Sequence, residues 1–192
     1  LIGLISKIHN YFINNMKEGK SPDSIEYLKS RDFDGTDIKE FRIGFAEKDE
    51  KNTNEFFKKN NLSKTDLKNL GLLSERGNFL FKNRIIFPIT NLRNETVGFG
   101  GRALDDFGPK YINTAESSIY RKNRSLYFTN EFLSDLKKKK FVILVEGYFD
   151  VIAFNKLGFN NVASPSGTAL TVQQINLLSR YTKEIYLCFD NY

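Results

Sequence analysis

The sequence predicts two successive parts: an α+β N-terminal part with a small mixed sheet, then an incomplete α/β part with a parallel sheet. Three observations carry this. Residues 1 to about 75 are rich in Lys, Asn and Glu among spaced apolar positions. Two β-branched and aromatic runs separated by a turn follow between Arg84 and Arg102. From about residue 128, continuous apolar runs alternate with helix-like segments. The boundaries are read as 1–127, with a helical start over 1–75 and a β-rich basic part over 76–127, and 128–192.

The helical start is punctuated by caps. Ser21-Pro22-Asp23 places Pro at a first helical position with an acid in the first turn, and Ile25 and Leu28 then share a face. Ser63-Lys64-Thr65-Asp66 fits a capping box before Leu67 and Leu70, and Gly71 is the stop.

The middle region changes period. Arg84-Ile85-Ile86-Phe87-Pro88-Ile89, a turn over 91–95, and Thr96-Val97-Gly98-Phe99-Gly100-Gly101-Arg102 read as a hairpin. Pro88 points to an edge or bulge. The three glycines permit close backbone approach by a neighbouring element or by a ligand.

In the last part, Phe141–Val145 is a continuous apolar run, as expected of a strand buried on both faces. A helix over Tyr148–Leu157, a strand over Asn161–Ser164, a helix from Thr171 to about Arg180 and a third buried strand over Glu184–Phe189 follow. Two β-α-β units in series predict a parallel sheet. Lys137–Lys140 reads as the basic end of the helix before the first of these strands.

Composition narrows the function. Of 192 residues, 40% are hydrophobic and 27% charged, a globular balance. No run approaches the roughly 18 to 20 apolar residues of a membrane span, and Leu1–Ile8 is too short and lacks a basic flank for a secretory signal. One cysteine, Cys188, excludes an internal disulfide or a cysteine zinc site made by this chain alone, and one histidine, His9, argues against histidine-based catalysis. The expected compartment is the cytoplasm. The chain opens on Leu1 and closes within a strand exit, so it is read as a fragment. Its net charge is +6, and Arg76–Arg124 alone, with nine basic and four acidic residues, contributes +5. A basic face of this kind suits a phosphate-rich partner, although charge alone is equally consistent with a solvated surface.

In an open parallel sheet, ligands gather at the carboxyl ends of the strands. Glu146 and Asp190 each follow a strand directly, and Asp150 lies one helical turn past Glu146. Carboxylates so placed suit a divalent cation. Spacing admits helix N-capping equally well. The small polar loop Ser164–Thr171 reads either as an anion cradle or as an ordinary strand-to-helix turn.

These motifs together resemble a known family. Glu146-Gly147-Tyr148-Phe149-Asp150, Gly167-Thr168-Ala169-Leu170 and the strand ending in Phe189-Asp190 are similar to the Toprim domain of bacterial replicative (DnaG-type) DNA primases. Asn83–Ile89, Val97–Arg102, Pro109-Lys110-Tyr111-Ile112-Asn113 and Tyr120–Arg124 resemble the basic subdomain of the same family, in order and spacing. Tyr27–Arg31 and Phe41–Ala46 resemble its start. The resemblance implies the front of an RNA polymerase core that makes short RNA primers from NTPs on single-stranded DNA, using Mg²⁺ or Mn²⁺. It implies Glu146 and Asp190 as catalytic metal-holding acids, with Asp150 a further candidate. It also implies Arg84, Arg102, Lys110, Tyr111 and Lys122 as nucleotide- or nucleic-acid-binding residues. A packed β residue is the preferred reading of Tyr111 on its own. The replicative helicase is the expected partner of a domain absent here, no zinc is held by this segment, and no membrane is involved.

The sequence also departs from the family. A second acid of an Asp-x-Asp motif falls at Tyr192, which cannot replace a carboxylate on a hard cation. Other Toprim enzymes (a topoisomerase or an OLD-type nuclease) and an inactive nucleic-acid-binding remnant are the alternatives, and residues 1–192 alone are expected to be inactive.

Overall fold

Capping chemistry sets most helix starts. In the computed structural model, which describes residues 1–106, 108–167 and 169–190, α1 spans Ile2–Lys17 and buries Ile5, Ile8, Phe12 and Met16 along one stripe. The helix α2 (Pro22–Lys29) begins on the Ser21 side chain, which accepts from the Ser24 N–H. Asp34 caps α3 (Gly35–Glu40) and Asp49 caps α4 (Glu50–Lys59). Ser63 and Asp66 close the expected capping box on α5 (Lys64–Asn69), and Gly71 follows at φ +69°. Thr168 and Tyr192, both singled out above, lie outside the described residues.

The described residues form two compact units. The first comprises Leu1–Pro88 and Glu95–Tyr120, the second Ile89–Asn94 and the chain from Arg121 onward.

Apart from Ile89 and Thr90 at the end of β2, the first unit holds a four-stranded sheet in the order β1-β2-β3-β4, made of Gly44–Ala46, Arg84–Thr90, Thr96–Ala103 and Tyr111–Asn113. The sheet was expected to be mixed, yet the β1/β2 and β3/β4 ladders are both antiparallel. β1 went unanticipated, because three residues are too few for a period to register. Pro88 lies two residues beyond Ile86, the last position of β2 in register with β1. At that point β2 has β3 alone beside it, as an edge position does.

Helix α1 packs on β1 and β3. Phe12 meets Phe99 edge-on at 5.4 Å, and Phe81 meets Phe99 at 6.0 Å, within a core that includes Leu70, Leu72 and Ile86. The glycines of β3 serve this packing. A Cβ on Gly101 would fall 2.7 Å from the Phe81 ring, and one on Gly98 would fall 3.1 Å from Tyr120. Of the two readings left open, a neighbouring element is the one observed here.

The sole histidine is structural. His9 is fully buried, its Nε2 lies 2.9 Å from the Arg42 carbonyl, and Nδ1 lies 3.2 Å from both the Thr96 hydroxyl and Arg42 Nη2. A neutral ring donating from Nε2 and accepting at Nδ1 satisfies all three contacts. Burial lowers its pKa to about 4.

The second unit holds a parallel sheet in the order β6-β5-β7, with β5 Phe141–Leu144, β6 Val162–Ala163 and β7 Glu184–Leu187. α6 (Phe132–Lys139) precedes β5, α7 (Tyr148–Lys156) links β5 to β6, and α8 (Val172–Leu178) links β6 to β7. Lys140 ends α6 at φ 64°. Val142, Leu144, Ala163 and Leu178 share a core with Leu126, Phe132 and Leu136. Burial of β5 and β7 on both faces is not what is seen. Phe141 and Ile143 are half-buried, and on the edge strand β7 Tyr186 and Leu187 are 57% and 61% exposed. Apolar composition marks these strands, but the edge position leaves β7 with one strand neighbour among the described residues.

Candidate metal-binding and nucleic-acid-binding residues

The parallel register brings two acids together. Leu144 pairs with Leu187, and the Cys188 N–H donates to the Leu144 carbonyl at 2.8 Å, so both chains leave the sheet side by side. Beyond that point the Asp190 N–H donates to Oε1 of Glu146 at 3.0 Å. Ser164, at the end of β6, donates from its hydroxyl to the Glu146 carbonyl at 2.6 Å and so fixes the backbone beneath the carboxylate. Glu146 is half-buried and Asp190 exposed. Among the described residues no group of three or more His, Cys, Asp or Glu is positioned to hold a metal. Two hard carboxylates from adjacent strand ends fit Mg²⁺, which takes one or two protein carboxylates and retains waters or substrate oxygens.

Asp150 does different work. Its Oδ2 accepts from the Gly147 N–H at 2.9 Å, closing the first turn of α7. Of the two readings that spacing allowed, this contact is the capping one. The loop from Ser164 likewise forms a strand-to-helix turn. The Ser166 N–H donates to the Ser164 hydroxyl, and Thr171 caps α8 by accepting from the Gln174 N–H.

The basic residues divide by burial. Arg84 is 6% exposed and turned inward. Its Nη1 donates to the Gly101 carbonyl at 3.1 Å and to that of Lys110 at 3.4 Å, and Nη2 donates to Pro109 at 2.9 Å. Burial pulls its pKa below the ordinary guanidinium value, with Asp105 opposing and Arg102 adding to the fall. A fork that binds three carbonyls clamps the β3–β4 connection. Lys110 is exposed, and its backbone carries that clamp. Arg102 faces Tyr111 in the β3/β4 register. Tyr111 is 40% exposed. Partial burial raises the Tyr111 phenol pKa, while the Arg102 guanidinium, which hydrogen-bonds it, pulls the other way. In the second unit, the buried Gln174 side chain donates to the carbonyls of Lys122 at 3.3 Å and Ser125 at 2.7 Å, holding the segment that carries the half-buried Lys122.

Sequence reasoning missed two residues here. Arg102 lies over the ring of Tyr27, its Cζ 4.1 Å from the centroid, and Arg31 lies over the same ring at 5.6 Å. The spacing of Tyr27 and Arg31, four residues apart at the end of α2, is the signal that could have found them.

A parallel sheet with acids just past the ends of two adjacent strands is an α/β arrangement, the class in which ligands gather at strand carboxyl ends. Residues 140–191 match the Toprim domain, and residues 11–133 match the N-terminal domain of the DNA primase catalytic core. The DNA primase of Rickettsia bellii is 39% identical over 178 residues, covering 91% of this chain and 30% of that protein. That of Aquifex aeolicus is 39% identical, covering 89% of this chain and 35% of its own length. The chain therefore spans about a third of the relatives it matches. Among solved structures, a DnaG primase catalytic domain bound to ssDNA superimposes with TM-score 0.88 at 30% identity, over 100% of this chain and 61% of that one. The RNA polymerase domain of Mycobacterium tuberculosis primase DnaG shares the fold, with TM-score 0.91 at 24% identity over 100% of this chain and 66% of its own. The chain belongs to the DNA primase catalytic core family. The match over 11–133 sets the topoisomerase and OLD-type nuclease readings aside.

Proposed function

We propose that this chain supplies part of the active centre of a DNA primase, a nucleotidyltransferase that joins ribonucleotides into short RNA primers on single-stranded DNA. The observation that carries the reading is the Glu146–Asp190 contact at the ends of β5 and β7. In this reading Glu146 and Asp190 hold the divalent cation, Mg²⁺ or Mn²⁺. The chemistry such an ion supplies when bound is activation of the primer 3′-hydroxyl and neutralisation of triphosphate charge.

The protein's own groups do the rest. Ser164 and the Asp190 N–H fix the backbone and one oxygen of Glu146, and Asp150 sets the start of α7 behind it. Lys110, Lys122 and Arg102 bind template or nucleotide phosphates, contacts that give affinity without reading sequence. Arg84 acts through Lys110 by anchoring its backbone. Tyr111, partly exposed and hydrogen-bonded to Arg102, takes part beside it. A solved relative is bound to ssDNA, which supports the same template class here. NTPs and the RNA primer are the remaining substrates, and the replicative helicase is the partner of the longer protein. No described helix is long and apolar enough to cross a membrane. The proposed site of action is the cytoplasm.

The test is a chimera in which residues 1–190 replace the matching segment of the Aquifex aeolicus primase. Primer synthesis from NTPs on single-stranded DNA with Mg²⁺ is expected. A folded chimera that binds DNA yet makes no primer would overturn the reading.

A further inference from the structure

We propose that Tyr27 is a positioning residue for Arg102: its ring face carries the Arg102 guanidinium and presents it to a backbone phosphate of a single-stranded nucleic acid. The inference rests on the assignment of Arg102 to phosphate binding and extends that site to α2, a different stretch of chain.

Geometry leads the argument. The Arg102 Cζ lies 4.1 Å from the Tyr27 ring centroid, well inside the range of a cation–π contact. Arg102 sits on β3 opposite Tyr111, so the strand fixes where its side chain starts. The Tyr27 ring face lies against its end, where the guanidinium also hydrogen-bonds Tyr111. Its Nη1 donates to its neighbour Ala103's carbonyl, and its Nε, buried, has no hydrogen-bond partner among the described residues.

Charge supplies the second line. No ion pair to Arg102 occurs among the described residues, while the same ring also carries Arg31 at 5.6 Å. A carboxylate partner would orient a guanidinium and cancel its charge. An aromatic face orients it and leaves the charge for an incoming anion. The ligand class is therefore a phosphodiester, whose oxygens match the planar fork of arginine. Tyr111, exposed beside Arg102, extends the site toward solvent.

The test is fluorescence anisotropy of a labelled single-stranded oligonucleotide with the 192-residue chain over a salt series. Tyr27→Phe keeps the ring and is expected to bind as wild type. Tyr27→Leu is expected to weaken binding roughly three- to tenfold, the scale of one cation–π contact. In an Arg102→Ala background, Tyr27→Leu is expected to add nothing. If Arg102→Ala leaves affinity and salt slope unchanged, the phosphate role of Arg102 itself fails. If Arg102→Ala weakens binding and Tyr27→Leu does not, the phosphate role stands and the positioning role fails. A further loss from Tyr27→Leu on top of Arg102→Ala means that Tyr27 meets the nucleic acid directly, which also overturns positioning. Equal losses in Tyr27→Phe and Tyr27→Leu would assign the effect to the hydroxyl and overturn it as well. One readout needs no variant. The Arg102 side-chain protons of the wild type should show ring-current shifts and move on adding oligonucleotide. Random-coil shifts that stay still would contradict the proposal.

Discussion

The Asp190 backbone N–H donates to Oε1 of Glu146 at 3.0 Å, across 44 residues of sequence. The contact exists because β7 lies parallel to β5 in a register that ends both strands at the same level, Leu144 beside Leu187. Everything proposed about catalysis depends on that level ending, because it sets the Asp190 backbone against the Glu146 carboxylate.

Replacing Glu146 by Gln keeps size and the hydrogen bond acceptor but removes the charge. In the Aquifex chimera, primer synthesis should fall by at least about a hundredfold, the scale of losing a group that stabilises transition-state charge. Binding to single-stranded DNA should stay near wild type. Normal synthesis by this variant would remove the metal-site assignment.

Arg84 is expected to matter for stability before binding. Arg84→Met leaves the carbonyls of Gly101, Pro109 and Lys110 without their donor. Urea unfolding should show a loss of about 2 kcal/mol. Arg84→Lys should recover only part of it, since an ammonium lacks the planar fork. Full stability in Arg84→Met would show that the clamp is idle.

Lys110 and Lys122 are expected to behave as phosphate contacts. Lys110→Ala or Lys122→Ala should each weaken oligonucleotide binding and reduce the salt slope by about 0.7, the single-strand value for one phosphate. A slope unchanged in either variant would remove that lysine from the phosphate path.

The buried His9 ties stability to pH. Its folded pKa, about 4, lies below the ordinary imidazole value of 6.5, so the unfolded chain binds the extra proton first. Its contribution is complete above about pH 6.5 and is lost as pH falls toward 4, amounting to about 3 kcal/mol. Because the chain has one histidine, its ring resonances can be followed by NMR without ambiguity. A midpoint near 6.5 in the folded protein would contradict the buried neutral ring.

Much of this was legible in the sequence. The Ser63–Asp66 capping box, the hairpin around residues 91–95 and the β-α-β alternation are local patterns, and each formed where its residues stood. The positions of Glu146 and Asp190 just past two strands were legible because a strand's end is marked where an apolar run stops. What escaped was set by long-range packing. Arg84 reads as one more cation in a basic stretch, and only the fold turns it onto three carbonyls. Asp150 keeps the same spacing whether it caps a helix or binds a metal. Tyr27 and Arg102 are far apart in sequence, so no periodicity could join them.

The most direct test of the central claim is a Mn²⁺ titration of this chain followed by paramagnetic broadening of its amide resonances. The account predicts broadening centred on Glu146, Gly147 and Asp190, and its loss in Glu146→Gln. Broadening centred elsewhere, or unchanged in Glu146→Gln, would contradict it.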